Sequence, residues 1–231
     1  ELVSAWRKQG LFSDILSHWS NEPCPAFWPS NSEKELAIKK VAFSIERAAL
    51  PLFSLPNYGV LLIGATAIGE LKLWVPRRSP TKKTFPGLLD VTVGGGIALN
   101  QTATSAIIRE CTEEASFGEA TVRKYISQAG AMHYHNRSPK GWLLPGHYTL
   151  FTLPLPSDVR PRLNHDDGEV DSFSLMSVED VLDELEAGAF KPSSALAYVR
   201  FLIQQGKINQ HTERYFDAIR EALEASPGPA V

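Results

Sequence analysis

The chain has 231 residues, enough for one larger domain or for a domain of about 150 residues with an appendage. Hydrophobic residues make up 43% and charged ones 21%, and a net charge of -3 supplies no overall field that would draw nucleic acid or an anionic membrane. An anionic ligand must therefore be held by a local cluster. The two cysteines, Cys24 and Cys111, are far apart and lack metal-ligand spacing, so a reducing compartment is expected, with the cytoplasm as location. Because the chain begins at Glu1 rather than Met, organellar targeting stays open.

The first segment, residues 1–54, reads as a mostly helical N-terminal extension. Its polar middle is broken by proline around Glu22-Pro23-Cys24-Pro25 and Pro29-Ser30-Asn31-Ser32. Trp6, Trp19 and Trp28 predict that it packs against something. From Tyr58 the pattern changes to short apolar runs bounded by Gly, Pro or Asn: Val60 to Ile63, Leu71 to Val75 and Thr149 to Leu153, which predict strands. The longest apolar stretch, Tyr58 to Ala67, contains Gly59 and Gly64 and runs into Glu70 and Lys72, so it is read as a buried strand and not a membrane span. Helical spacing marks Thr102 to Ala115, Val178 to Ala187 and Ser193 to Gln204. Residues 55–206 thus form the main domain, an α/β unit with helices packed on a sheet. Residues 207–231 hold a last amphipathic helix, Ile208 to Ala225, and a fraying tail.

Chemistry concentrates between Gly95 and Phe117. At about 100° per residue, Glu110, Glu113 and Glu114 share one face of the Thr102 helix, while Ile107, Ile108, Cys111 and Ala115 point toward the core. Arg109 stands four residues before Glu113 and can orient it. Such a pattern fits a solvated acidic face, but carboxylates crowded into one turn also suit a divalent cation. The run Gly94-Gly95-Gly96, read as a turn before the helix, favours the second reading, because glycine there lets backbone come close to a ligand or lets the helix be entered at an unusual angle.

The stretch resembles the Nudix box, G-x5-E-x7-R-E-U-x-E-E-x-G-U, with Gly95 as first glycine, then Arg109, Glu110, Cys111 as the apolar U, Glu113, Glu114 and Phe117. Gln101 replaces the first Glu, which in that family supports the Arg, and Ser116 replaces the last Gly. The resemblance implies a Nudix α/β/α sandwich with a mixed β-sheet. It also implies a hydrolase of diphosphates that uses Mg2+ or Mn2+ held by Glu110, Glu113, Glu114 and the Gly95 carbonyl. Wider similarity, in LKLWVPRRSPTKKTFPGLLDVTVGGGIA, EEASF, DGEVDSFSLMSVEDV, AFKPSSALAYVRFLI and the Trp6 and Ile45 to Phe53 regions, is to Nudix proteins related to thiamine pyrophosphokinase. That subgroup implies oxythiamine diphosphate or a like thiamine diphosphate analogue as substrate.

Upstream, Arg77, Arg78, Lys82 and Lys83 form a basic cluster that is either a surface loop or a diphosphate clamp. The resemblance favours Arg78 and Lys82 as substrate-binding, from the R-S-x-T-K pattern before Pro86-Gly87. Downstream, Glu169 is either part of an acidic turn or, as in Nudix relatives, an extra carboxylate for a metal or the attacking water. Arg109, Glu110, Glu114 and Glu169 are thus the expected catalytic residues, with the general base left open among the three carboxylates. His133 and His135 predict one face of a strand rather than zinc, since no third ligand is near. Gly146-His147 stands where relatives carry an acidic residue. Expected partners are a small-molecule diphosphate and at most a second copy of the chain, with no nucleic acid and no membrane. The competing functions are a prenyl diphosphate hydrolase or isomerase, the isomerase disfavoured because residues 90–96 lack a Cys, and a catalytically silent binding module.

Overall fold

The N-terminal segment mixes helix with strand, a departure from the mostly helical expectation. The computed structural model describes residues 1–27, 41–138, 140–164, 166 and 168–224. Helices α1 (Leu2–Lys8) and α2 (Ser13–Leu16) are followed by an antiparallel ribbon of β1 (Pro23–Phe27) and β2 (Val41–Glu46), then by a 3-10 helix, Arg47–Phe53. The prolines explain the strand: Glu22 and Cys24 each precede a proline and are pushed toward extended backbone, and an isolated ribbon tolerates the missing N–H groups. Trp6 and Trp19 pack with Ile15, Leu16, Ala49 and Trp142, and the Trp142 indole donates to Asp14 at 2.9 Å, tying the segment to the main domain. Trp28 and residues 29–32 lie outside the described residues.

The main domain follows as β3 (Asn57–Thr66), β4 (Lys72–Arg78), β5 (Val93–Gly96), α3 (Ala103–Ala115), α4 (Glu119–Tyr125), β6 (Ser127–Arg137), β7 (Leu143–Leu155), β8 (Val170–Ser177), α5 (Val178–Glu186) and α6 (Pro192–Gln204). The sheet is mixed, in the order β6-β7-β3-β4-β8, with β3 and β7 parallel and the other neighbours antiparallel. The expected strands and helices coincide with these elements, with Leu71, Thr102 and Ala187 each one residue beyond an end. Alternation along β3 makes the layers: Val60 and Leu62 pack with Ile107 and Cys111 of α3, whereas Leu61, Ile63 and Ala65 pack with Val181 of α5 and Tyr198 and Leu202 of α6. This is the α/β/α sandwich.

Two expectations need correction. Gly94 to Gly96 is not a turn but part of β5, which pairs with β3 over Gly59 to Leu62; β4 pairs with the same edge only at Gly64 and Ala65. The sheet therefore forks, with β4 and β8 on one prong and β5 on the other. The last helix, α7 (Phe216–Glu224), is shorter than the expected 208–225. The Asn209 carboxamide accepts from the His211 N–H, and the Thr212 hydroxyl accepts from the Asn209 N–H, so local side-chain bonds hold that stretch in turns.

Helix α3 starts on a reciprocal cap between Thr102 and Ser105 and stops at Ser116, whose φ of 53° is left-handed. The position has kept the turn that a glycine would make, with a Cβ added. Ser116→Gly should therefore raise unfolding stability by about 1 kcal/mol, read from the urea midpoint, while an unchanged or lowered midpoint would refute the strain.

Candidate active site

Three carboxylates from two elements converge at the fork. Glu110 is buried and lies so close to β5 that a Cβ on Gly95 would land on its carboxylate. That contact, rather than a turn, accounts for the glycine. One turn on, Glu114 accepts the Gly94 N–H at 3.0 Å, so α3 is anchored to the strand by two acidic side chains. Arg109 forks over the helix, donating to Glu110 at 2.7 Å and to Glu113. Glu113 is half-exposed and turned to that fork, so it is the member of the expected ligand set that the structure leaves outside the cluster. Gln101 does not reach Arg109; its side-chain oxygen accepts the Ala98 N–H at 3.2 Å and braces the loop before α3.

The third carboxylate is Glu169, just before β8. Its backbone carbonyl accepts the Ser79 N–H at 2.9 Å, and its side chain pairs with Lys82 and hydrogen-bonds Glu114. Lys82 thus stands at the acidic cluster. Arg78 is largely engaged within the protein. Its guanidinium is spent on Asp90 (2.6 Å) and on the carbonyls of Thr84 (2.9 Å) and Phe85 (3.0 Å), and only 12% of the side chain is exposed. It shapes the 79–90 loop that carries Lys82. Asp90, which also accepts from Lys191 at 3.1 Å, from Ser194 and from the Val91 N–H, was missed in the sequence. The signal was there: an Asp inside Leu88-Leu89-Asp90-Val91 must find cations if it is buried. His133 and His135 sit on one face of β6, with the His133 ring 4.5 Å from that of His147.

The family model described as the NUDIX domain matches residues 55–196. The chain belongs to the Nudix family. Similar proteins include Nudix hydrolase 20, chloroplastic, of Arabidopsis thaliana, 34% identical over 77% of this chain and 47% of the relative. An uncharacterized protein of Saccharomyces cerevisiae is 28% identical over 97% of this chain and 67% of its own length. The chain therefore spans about half the length of the plant relative. Among solved structures, DR0079 from Deinococcus radiodurans has a TM-score of 0.54 and 25% identity, over 71% of this chain and 94% of that one.

In this Nudix site, burial sets the protonation pattern. Desolvation, against the pull of Arg109 and with the push of Glu113 and Glu169, raises the Glu110 carboxyl to about 7. Burial and the charges of Glu110 and Glu169 also drive Glu114 well above the usual range, despite the Gly94 N–H. Glu169 is also desolvated, but its bonds to Lys82 and Glu114 outweigh that and hold it low. Among the described residues, no three His, Cys, Asp or Glu side chains stand close enough to enclose an ion as placed. The donor chemistry nevertheless fits a hard divalent cation: Glu110, Glu114, Glu169 and the Gly95 carbonyl are all oxygen donors, and the crowding is what such an ion relieves. No helix among the described residues is long and apolar enough to cross a membrane.

Unfolded, Glu110 loses its proton near 4.5; folded, it keeps it to about 7. Stability of the metal-free protein should therefore fall as pH rises through that window. Glu110→Gln should raise metal-free stability near pH 8 by up to about 3 kcal/mol and leave it unchanged below pH 4, where both states are protonated. Denaturant unfolding at the two pH values checks this, and a loss of stability at pH 8 would contradict it.

Proposed function

We propose that the chain is a metal-dependent hydrolase of a diphosphate-containing small molecule, with a thiamine diphosphate analogue such as oxythiamine diphosphate converted to the monophosphate and phosphate. What carries the reading is the placement of Lys82 beside Glu169, Glu114 and Glu110, which sets a cation for phosphate oxygens against a cluster of oxygen donors. The family membership supports anhydride chemistry, since Nudix hydrolases act on phosphorus-containing anhydrides. The thiamine assignment rests on the sequence resemblance.

Glu110, Glu114, Glu169 and the Gly95 carbonyl would hold Mg2+ or Mn2+, which when bound neutralises phosphate oxygens and makes bound water more acidic. The remaining work falls to the chain. Lys82 binds the diphosphate, and Arg78 acts behind it by fixing the loop. A water oxygen adds to phosphorus as the bridging P–O bond breaks, and the water proton passes to a carboxylate. Arg109 orients Glu110 for this through its 2.7 Å bond. Free, buried Cys24 and Cys111 suit a reducing compartment, with the cytoplasm the proposed location and a plastid, from the chloroplastic name of a relative, the alternative.

One observation favours a silent binding module instead: Gln101 leaves Arg109 without its usual support and holds a loop. Release of phosphate from thiamine, oxythiamine and prenyl diphosphates, or of AMP from ADP-sugars, with and without Mg2+, separates the readings. Mg2+-dependent release on at least one compound, reduced about 100-fold or more by Glu114→Gln in a folded protein, is expected. No release on any of them would leave the binding module.

A further inference from the structure

The N-terminal segment holds a cleft that shares no residue with the acidic site. Its volume is about 480 Å3, and it lies between α1, β2 and the 3-10 helix. A space of that size takes a small molecule. Alternation along β2 turns Phe43 and Ile45 to the same side, and both line the cleft together with Trp19 and Phe53. Phe43 is 52% exposed and Phe53 44%, although the segment has an apolar cluster of its own in which Ile15, Leu16 and Ala49 are buried. Large rings left in water side by side, next to a formed core, mark an interaction site.

Two of the rings are held from outside the cleft. Trp6 stacks on Phe53 with centroids 6.1 Å apart, and the Arg7 guanidinium lies 4.8 Å over Trp19. The field inside has one sign. Among the described residues that line the cleft, Glu1 and Glu46 are acidic and none is Lys, Arg or His. Glu46 is only 9% exposed, and its Oε1 accepts the Ser20 N–H at 2.8 Å, the Ser20 hydroxyl at 3.0 Å and the Ala48 N–H at 3.4 Å. Those bonds explain its position but leave its charge without a counterion. Arg47, the next residue, is paired with Glu22 at 2.8 Å, and no ion pair reaches Glu46 among the described residues. A carboxylate so buried is ordinarily paired, and the negative faces of the rings draw a cation to the same place.

We propose that the cleft binds a small organic cation, a quaternary ammonium group carried on an apolar body. Trp19, Phe43 and Phe53 receive the ammonium and its body, and Glu46 supplies the opposite charge. With Glu46 Oε1 already taken by three donors, the cleft offers charge and aromatic surface more than acceptors. That suits a cation without N–H groups better than a primary ammonium, which is strongly hydrated and needs acceptors to replace its water. Pro23 also lines the cleft, and its carbonyl accepts the Leu99 N–H at 3.3 Å in the loop that leads to α3. The site thus adjoins the catalytic half without borrowing from it, and it stands whether or not the chain hydrolyses a diphosphate.

An NMR titration that follows the Trp19 indole N–H, assigned by its loss in Trp19→Phe and run in Mg2+ buffer, tests this with benzyltrimethylammonium, benzylammonium and benzyl alcohol. Benzyltrimethylammonium should shift the signal saturably, bind about tenfold or more tightly than the alcohol, and bind no more weakly than benzylammonium. Glu46→Gln, which keeps an acceptor for Ser20 and Ala48, should remove the preference for the cation over the alcohol. Phe43→Ala, at an exposed position, should weaken the cation about threefold or more, and it decides the matter should Glu46→Gln fail to fold. Glu114→Gln should change neither result. No preference for the quaternary cation, a preference untouched by Glu46→Gln or Phe43→Ala, or its loss in Glu114→Gln would overturn the proposal. A Trp19 signal that shifts with protein concentration alone would give the cleft to a second copy of the chain and overturn it too.

Discussion

Repulsion among Glu110, Glu114 and Glu169 is the constraint around which the rest of the site is arranged. Three carboxylates meeting at a half-dry junction oppose folding unless protons or cations share the load. In the metal-free chain the load is shared by a proton bond between Glu114 and Glu169, by the Gly94 N–H, by the Arg109 fork and by Lys82. The forked sheet makes that meeting possible. Were β4 to continue along β3 in place of β5, the Gly95 backbone would not lie under Glu110, nor would Glu169 face it across the gap.

A second charged cluster keeps the first in register. Asp90 is buried with two cationic partners, Arg78 and Lys191, and with the Ser194 hydroxyl, and so joins the end of β4, the segment leading to β5 and the start of α6. Removing one partner from such a set is far more damaging than replacing the whole set, because it leaves a charge buried alone. Arg78 then passes that rigidity to the loop through the carbonyls of Thr84 and Phe85. Lys82 is thereby delivered to Glu169 by a residue whose own guanidinium bonds Asp90, Thr84 and Phe85.

Much of this was legible in the sequence. Apolar runs and helical spacing located β3, β4, β7, α3, α5 and α6, because burial on alternate residues or every third and fourth residue leaves a local record. Of the residues expected at the site, Glu110, Glu114, Lys82 and Glu169 stand together, while Glu113 turns to Arg109 and Arg78 to Asp90. What failed depended on partners distant in sequence. Gly95 looked like a turn residue because the carboxylate that needs its bare Cα lies fifteen positions on. The bonds from Arg78 to the carbonyls of Thr84 and Phe85 could not be foreseen either, because they belong to a loop whose path no local pattern encodes. The strand at Pro23 was hidden because proline signals a break and an edge strand alike.

The most direct measurement is calorimetric titration of Mg2+ into the metal-free protein at pH 7 in buffers of differing ionisation enthalpy. If the cation replaces protons held on Glu114 and Glu110, binding should release on the order of one proton per chain, seen as an apparent enthalpy that tracks the buffer. Binding with no buffer dependence, or no binding at millimolar Mg2+, would contradict the view that these carboxylates are crowded together to hold a metal ion.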